Sequence, residues 1–141
     1  MKNNSNKQTR GQRNNNPLNI RRSSSAWLGK VPHDLATDRS FEQFTDMAYG
    51  YRAACRLIDT YVKRWRCRTV YEIINRWAPA ADGNNVGAYV ATVAKRTGLQ
   101  ATTTIATDDD ILRLVCGMAY VESRLVITPD ELRALFEARL K

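Results

Sequence analysis

The chain has 141 residues, of which 43% are hydrophobic, and this is enough for one domain with a buried core. No stretch approaches the roughly 20 apolar residues that span a bilayer, and the N-terminus lacks the apolar core of a secretory signal. The formal net charge of +8 predicts attraction to polyanions, namely nucleic acid, anionic membranes or cell-wall polymers, without choosing among them.

The beginning of the chain, residues 1–12, is rich in Asn, Ser, Lys, Gln and Gly, a composition typical of a disordered basic tail. The remainder, 13–141, is predicted to form a single domain. Its three cysteines are too few and too widely spaced for a disulfide framework, and His33 is the sole histidine. We therefore expect free thiols, no metal site and no cofactor.

The segment after this tail, 13–21, has the unusual sequence RNNNPLNIR. Asn and Pro disfavour a helix interior, and the residue before a proline is driven toward an extended conformation. A run of carboxamides either ties a loop together or binds a polar ligand such as a sugar, and a flexible tail is the alternative. Residues 13–44 are predicted to be irregular, with a short strand or turn near Phe41 and Phe44.

Helices are predicted for most of the rest of the chain, from capping residues and apolar stripes at three- and four-residue steps. Thr69 and Glu72 fit a capping box. Thr128 is followed by Pro129 at the first helical position and by the acid Glu131 at the third. The fold class is therefore mostly α. About five helices are expected, over 45–65, 69–79, 84–98, 107–123 and 128–140.

Glu122 is a candidate catalytic residue because it lies near the end of the apolar helix 107–123. The negative end of the helix dipole and apolar neighbours disfavour a carboxylate there, and a carboxyl that keeps its proton can act as a general acid. The alternative is a surface glutamate paired with Arg113 or Arg124. Glu72 is a competing candidate, but its capping-box position accounts for it.

Several blocks of the chain resemble, in sequence and order, a phage-associated family. Members of that family are usually described as virion structural proteins, and some are joined to or described as lysozyme-like cell-wall domains. The resemblance covers about residues 10–123, with Leu18 where Gly is usual and Ser123 where Asn is common. The matching blocks are RNNNPLNIR at 13–21, WLG at 27–29, FEQF at 41–44, GYRA at 50–53 and TVYEIINRWAP at 69–79.

A second, looser resemblance is to bacterial glucosaminidases and goose-type lysozymes, in which a helix ending in Glu-Ser carries the catalytic glutamate. The stretch MAYVES at 118–123 is similar to that helix, and NPLNIR at 16–21 is similar to the turn that comes after the helix in the glucosaminidases. Because the order is reversed in this chain, the resemblance implies a circularly permuted lysozyme-like domain. The segment near residue 16 should then meet the helix end near residue 122.

The same resemblance implies roles for individual side chains. Glu122 would protonate the glycosidic oxygen of a peptidoglycan strand. Carboxamides of the loop would hydrogen-bond N-acetyl or hydroxyl groups, and two aromatic residues would offer ring faces to sugars. The implied substrate-binding residues are Asn16, Asn19, Trp77 and Tyr89.

The sequence therefore predicts a phage-type peptidoglycan-degrading glycosidase: a muramidase, a glucosaminidase or a lytic transglycosylase, acting on peptidoglycan glycan strands. Asp38 and Glu42 could orient a water, but neither is favoured, and a single acid suits a lytic transglycosylase. A non-catalytic virion structural or cell-wall-binding protein, with virion proteins as partners, is the alternative. A third hypothesis, nucleic-acid binding, lacks a supporting motif. We expect a monomer without a signal peptide, either virion-associated or moving from the host cytoplasm to the periplasm and cell wall.

Overall fold

Helices dominate residues 7–140, the part of the chain that the computed structural model describes. The predicted mostly helical class is confirmed, with one short helix more than the five expected. Within the described residues there is no strand, and three isolated antiparallel bridges are the nearest approach to one. The helices are α1 (Arg10–Arg13), α2 (Met47–Lys63), α3 (Val70–Trp77), α4 (Val86–Thr97), α5 (Asp108–Ser123) and α6 (Pro129–Arg139), with a 3₁₀ turn at Ala80–Asp82.

The helices begin at side chains that bind the free backbone N–H groups of the first turn. Thr69, Thr107 and Thr128 each form a complete capping box with the residue three positions later. Asp46 and Asn85 cap α2 and α4 with single hydrogen bonds. These caps lie where the sequence placed them, because local capping chemistry needs no tertiary contact to be recognised.

The core is organised around α5, which packs against α1, α2, α4 and α6. Leu114, Val115 and Met118 on this helix are fully buried. At Gly117 the backbones of α4 and α5 come close, since a β-carbon added there would lie 2.7 Å from the Thr97 side chain. The middle of α5 is thereby packed closely on α4, and the last turn of the same helix carries Glu122.

The predicted boundary of the N-terminal tail is wrong at residues 9–12. These residues form the cap and most of α1, with Thr9 and Gln12 closing a capping box. The Thr9 hydroxyl and the Gln12 amide also donate hydrogen bonds to the Ser123 carbonyl, at 2.8 and 2.9 Å. Tertiary contacts with the end of α5 therefore order a segment whose composition is typical of disorder. The first six residues of the expected tail lie outside the described residues.

Along the described part of the chain, no helix is both long enough and apolar enough to cross a membrane. The three cysteines are free, and burial raises the pKa of the Cys55 and Cys116 thiols to about 12. Neither of these two thiols is suited to act as a nucleophile, because the thiolate is the reactive form.

Candidate active site

The side chain of Glu122, at the last turn of α5, is contacted by residues from three other segments. The Trp77 Nε1 and the Tyr89 hydroxyl donate hydrogen bonds to its Oε2 atom, at 3.0 and 2.9 Å. The Asn19 Nδ2 donates to the Glu122 carbonyl at 3.1 Å and lies 3.5 Å from Oε1. The predicted meeting of the Asn-rich loop with this helix end is therefore confirmed.

The loop is fastened to the end of α5 through Ser123, which is fully buried. Its hydroxyl donates a hydrogen bond to the Pro17 carbonyl at 2.8 Å. Gly11 packs directly against this side chain, because a β-carbon added at Gly11 would overlap the Ser123 Oγ and approach the Asn16 carbonyl to 2.7 Å. The position of the loop beside Glu122 is thus set by several independent contacts.

Asn16 does not bind substrate in the way the sequence predicted, because it is 0% exposed and all its polar atoms are used. Its Nδ2 donates to the carbonyls of Ile20 and Glu42, at 3.0 and 2.9 Å, and its Oδ1 accepts from the Ile20 N–H at 2.9 Å. The prediction for Asn16 is wrong for this physical reason. The residue ties the loop together, which is the other role that a buried carboxamide can have.

The two neighbouring asparagines behave in the same way. Asn14 donates to the Asp38 carboxylate at 2.8 Å, and Asn15 donates to the Phe44 carbonyl at 3.0 Å. Asn19 is the exception in the run, because it faces Glu122 and its Oδ1 has no hydrogen-bond partner among the described residues.

The turn in this loop does not require a glycine at position 18. Positive φ angles occur at Asn15 (52°) and Asn19 (53°), and asparagine tolerates this left-handed conformation better than most residues. Leu18 has no such angle and instead fills the core with 0% exposure. Leucine at this position, where the phage family that the sequence resembles usually has Gly, therefore leaves the turn intact.

An open cleft of about 480 Å³ lies beside Glu122, a size within the range of small-molecule sites. One side of it comes from the loop region and the other from α2, α3 and the 3₁₀ turn. Its lining combines aromatic rings with hydroxyl, amide and charged groups. The lining residues that matter here are Asn19, Arg21, Ser23, Trp27, Tyr61, Trp77, Asp82 and Glu122.

Trp77 and Tyr89 take different positions relative to this cleft. Trp77 lines it and also donates to Glu122. Tyr89 does not line it and is only 8% exposed, so it supports Glu122 from behind and offers no ring face to a sugar in this cleft. Burial and the adjacent Glu122 carboxylate raise the pKa of Tyr89 well above its usual value, which keeps its hydroxyl protonated as a donor.

Of the other carboxylates considered from the sequence, Asp38 has a structural role. It accepts two hydrogen bonds from the Arg10 guanidinium, at 2.6 and 2.8 Å, and these hold its pKa well below the usual range. Backbone N–H groups of Ser40 and Phe41 and the Asn14 amide add to the effect. Asp38 is thus committed to fastening the loop.

Glu42 and Glu72 are also accounted for by their contacts. The Glu42 side chain is fully buried and lies 3.0 Å from the Lys30 Nζ and 2.9 Å from the His33 Nε2. Glu72 completes the cap of α3, and hydrogen bonds from the Arg68 and Thr69 N–H groups lower its pKa. Neither residue lines the cleft.

Asp82 lines the cleft and was not predicted from the sequence. Within the described part of the chain, it and Glu122 are the two carboxylates of the cleft lining. It belongs to the 3₁₀ turn after α3, an exposed segment without periodicity or a cap, so no sequence signal pointed to it. The paired-glutamate alternative is not seen, since no ion pair among residues 7–140 joins Glu122 to Arg113 or Arg124.

Comparison with known proteins gives an informative similarity. No family model matches the chain. Protein P5 of Pseudoalteromonas phage PM2 is 39% identical over 97 residues, which are 67% of this chain. The chain is related to a bacteriophage protein. The matched region covers 59% of that phage protein, whose name states no activity, so the function has to be inferred from the site.

Proposed function

We propose that this protein is a phage peptidoglycan-degrading glycosidase with a circularly permuted lysozyme-like fold, in which Glu122 is the general acid. The observation that supports this most is the position of the Glu122 carboxyl. It lies at the edge of an open, aromatic-lined cleft and is oriented by Trp77, Tyr89 and the Asn-rich loop. Fixed orientation is what proton transfer to a bound substrate needs.

In this proposal the two oxygens of Glu122 have different tasks. Oε2 accepts from Trp77 and Tyr89, whereas Oε1 has, among the described residues, only the Asn19 Nδ2 at 3.5 Å, so Oε1 is the oxygen assigned to the substrate. The Glu122 carboxyl gives its proton to the glycosidic oxygen as the bond to the anomeric carbon breaks. Asn19 lies beside it in the cleft lining and donates to the Glu122 carbonyl, so it positions the helix end that carries the acid.

The second half of the reaction depends on what attacks the anomeric carbon. In a lytic transglycosylase the 6-hydroxyl of the sugar attacks, and Glu122, now a carboxylate, takes up its proton. In a two-carboxylate hydrolase a water attacks with help from a second acid, and Asp82 is the residue of the cleft lining that could supply it. The first route would be identified by two results together: the released product is an anhydro sugar, and Asp82→Asn retains activity.

The test compares the wild type with Glu122→Gln in clearing of purified peptidoglycan. Glutamine keeps the size of the side chain and an oxygen acceptor for Trp77 and Tyr89, but it cannot donate the proton. We expect a loss of about 10²–10⁴-fold in rate. Glu72→Gln is the matched control and should retain activity, because glutamine also completes a capping box. Equal clearing by the wild type and Glu122→Gln would remove Glu122 from the mechanism.

The second candidate function is a non-catalytic virion structural or cell-wall-binding protein, and the similarity to a phage protein favours keeping it. Such a protein could keep the cleft for binding glycan without cleaving it. Sedimentation with peptidoglycan and no release of fragments by wild type or Glu122→Gln would support this candidate over the enzyme.

A further inference from the structure

A row of aromatic rings leads from Glu122 to the outer surface. Trp77, which donates to Glu122, has its ring centroid 6.0 Å from that of Tyr61, and both rings line the cleft. The Trp65 ring follows at 4.8 Å from Tyr61. Trp65 is 42% exposed, so the row ends at a large apolar surface that water contacts.

One arginine stacks on this exposed ring, and two more are its neighbours in the chain. The Arg76 guanidinium lies 4.1 Å from the centroid of Trp65 and 5.9 Å from that of Tyr61. Arg64 and Arg66 flank Trp65 in sequence, and both are exposed. We call Arg64, Trp65, Arg66 and Arg76 the arginine shelf.

The positive charge of the shelf is not neutralised by its surroundings. None of the ion pairs between residues 7 and 140 includes Arg64, Arg66 or Arg76. The acids closest to these arginines in sequence have other partners, since Asp59 pairs with Lys63 at 3.0 Å and Glu72 caps α3. The Arg76 guanidinium on an exposed ring, with two further unpaired arginines next to that ring in the chain, forms a surface suited to an anion with apolar parts.

We infer that the arginine shelf binds the carboxylates of peptidoglycan stem peptides, so that the preferred substrate is a peptide-bearing glycan strand. This inference rests on the proposed function. A strand lying along Trp77 and Tyr61 would carry its peptides on the lactyl groups, at the side of the sugar chain. Guanidinium groups bind carboxylates with paired, charge-assisted hydrogen bonds, and the Trp65 ring would cover apolar atoms of the peptide.

The test measures binding without cleavage, using Glu122→Gln as the parent. One ligand is sacculi whose peptide cross-links have been cut, so that the separated strands still carry stem peptides, and the other is the same digested sacculi after an amidase has removed these peptides. We expect the parent to bind peptide-bearing strands about fivefold more tightly, a preference that Arg76→Gln abolishes. The preference should also fall as salt is raised, because the contacts are exposed ion pairs.

Arg96→Gln is the matched control for Arg76→Gln. Arg96 also stacks on an aromatic ring, at 4.0 Å from the centroid of Tyr120, but it lines a separate recess that includes Arg113 and Cys116. If both substitutions weaken binding equally, net charge and not the shelf causes the attraction, and the inference is overturned. Equal binding of the two forms of sacculi by the parent would overturn it as well.

A paired Arg64→Gln, Arg66→Gln variant gives an independent check if Arg76→Gln unfolds, and it should show the same loss of preference. Failure of the proposed function has a different signature. In that case wild-type protein releases no glycan fragments from either form of sacculi, whatever the binding preference.

Discussion

At the scale of single residues, two hydrogen-bond donors fix the orientation of the Glu122 carboxyl. Trp77 and Tyr89 belong to different helices, yet both donate to the same oxygen, Oε2. A surface glutamate would be hydrated and free to rotate, whereas this one is half-buried and held. The arrangement leaves Oε1 for a substrate. The Glu122 side chain loses its conformational entropy when the protein folds, so substrate binding does not have to supply that free energy.

Tyr89→Phe should therefore lower kcat while leaving the protein folded. The substitution keeps the ring in its buried position but removes one of the two donors to Oε2. We expect a fall of about tenfold in kcat, as an oriented hydrogen bond of about 1.4 kcal/mol would give. Turnover of soluble peptidoglycan fragments, with a thermal melt, measures both effects.

Tyr71→Phe serves as the control, because the Tyr71 side chain is 49% exposed and outside the cleft lining. If Tyr89→Phe shifts the melting temperature but not kcat, Tyr89 stabilises the fold and does not orient Glu122.

At the scale of elements, the long loop between α1 and α2 depends most on side-chain hydrogen bonds, because it has no regular secondary structure. Asp38 does much of this work, because it accepts hydrogen bonds from Arg10, Asn14, Ser40 and Phe41. Buried carboxamides such as Asn16 complete the network. A loop without regular structure is thereby made rigid enough to line a site.

The stability of the wild type should fall as the pH is lowered below about 4, the usual range of an aspartate. The pKa of Asp38 is lower in the folded than in the unfolded protein, so its contribution is present above the unfolded pKa and is lost as the pH falls toward the folded one. Asp38→Asn should be less stable at neutral pH and should lose less on acidification, as urea unfolding at several pH values would show.

Asp109→Asn is the comparison, since Asp109 forms an ion pair with Arg133 while its side chain is 74% exposed. Exposed pairs contribute little, so this variant should follow the wild-type pH dependence. An equal response of both variants would mean that the Asp38 network does not stabilise the loop.

The packing of α4 on α5 gives a second prediction at this scale. Gly117→Ala should destabilise the protein by about 1–3 kcal/mol, because the new methyl group would press on Thr97 and Val93. Gly87→Ala on α4 should instead be neutral or stabilising by up to about 1 kcal/mol, because its nearest neighbour would be Asn85 at 3.6 Å. Chemical denaturation of both variants measures the difference, and a stabilising Gly117→Ala would refute the close approach.

At the scale of the whole molecule, the sequence predicted the features that local chemistry determines. The threonine caps and apolar stripes predicted the helices. The meeting of the segment near residue 16 with the helix end near residue 122 was instead predicted from a resemblance to lysozymes and glucosaminidases. The helix α1 had a usable signal in Thr9 and Gln12, which match a capping box, but the surrounding composition concealed it.

Other features depend on tertiary contacts and could not be predicted. Nothing in the four asparagines of the loop says which one turns inward, and Asn16 is buried while Asn19 faces the site. Asp82 lies in an exposed turn, where neither periodicity nor capping marks a residue. The outer end of the aromatic row likewise depends on how α2 and α3 meet.

The most direct test of the central claim is mass spectrometry of the fragments released from purified peptidoglycan by wild type and by Glu122→Gln. We predict that the wild type releases fragments cut at glycosidic bonds and that the variant releases fewer of them by about a hundredfold or more. Fragments cut only at peptide or amide bonds, or equal glycan release by both proteins, would contradict the assignment of Glu122 as the general acid of a glycosidase.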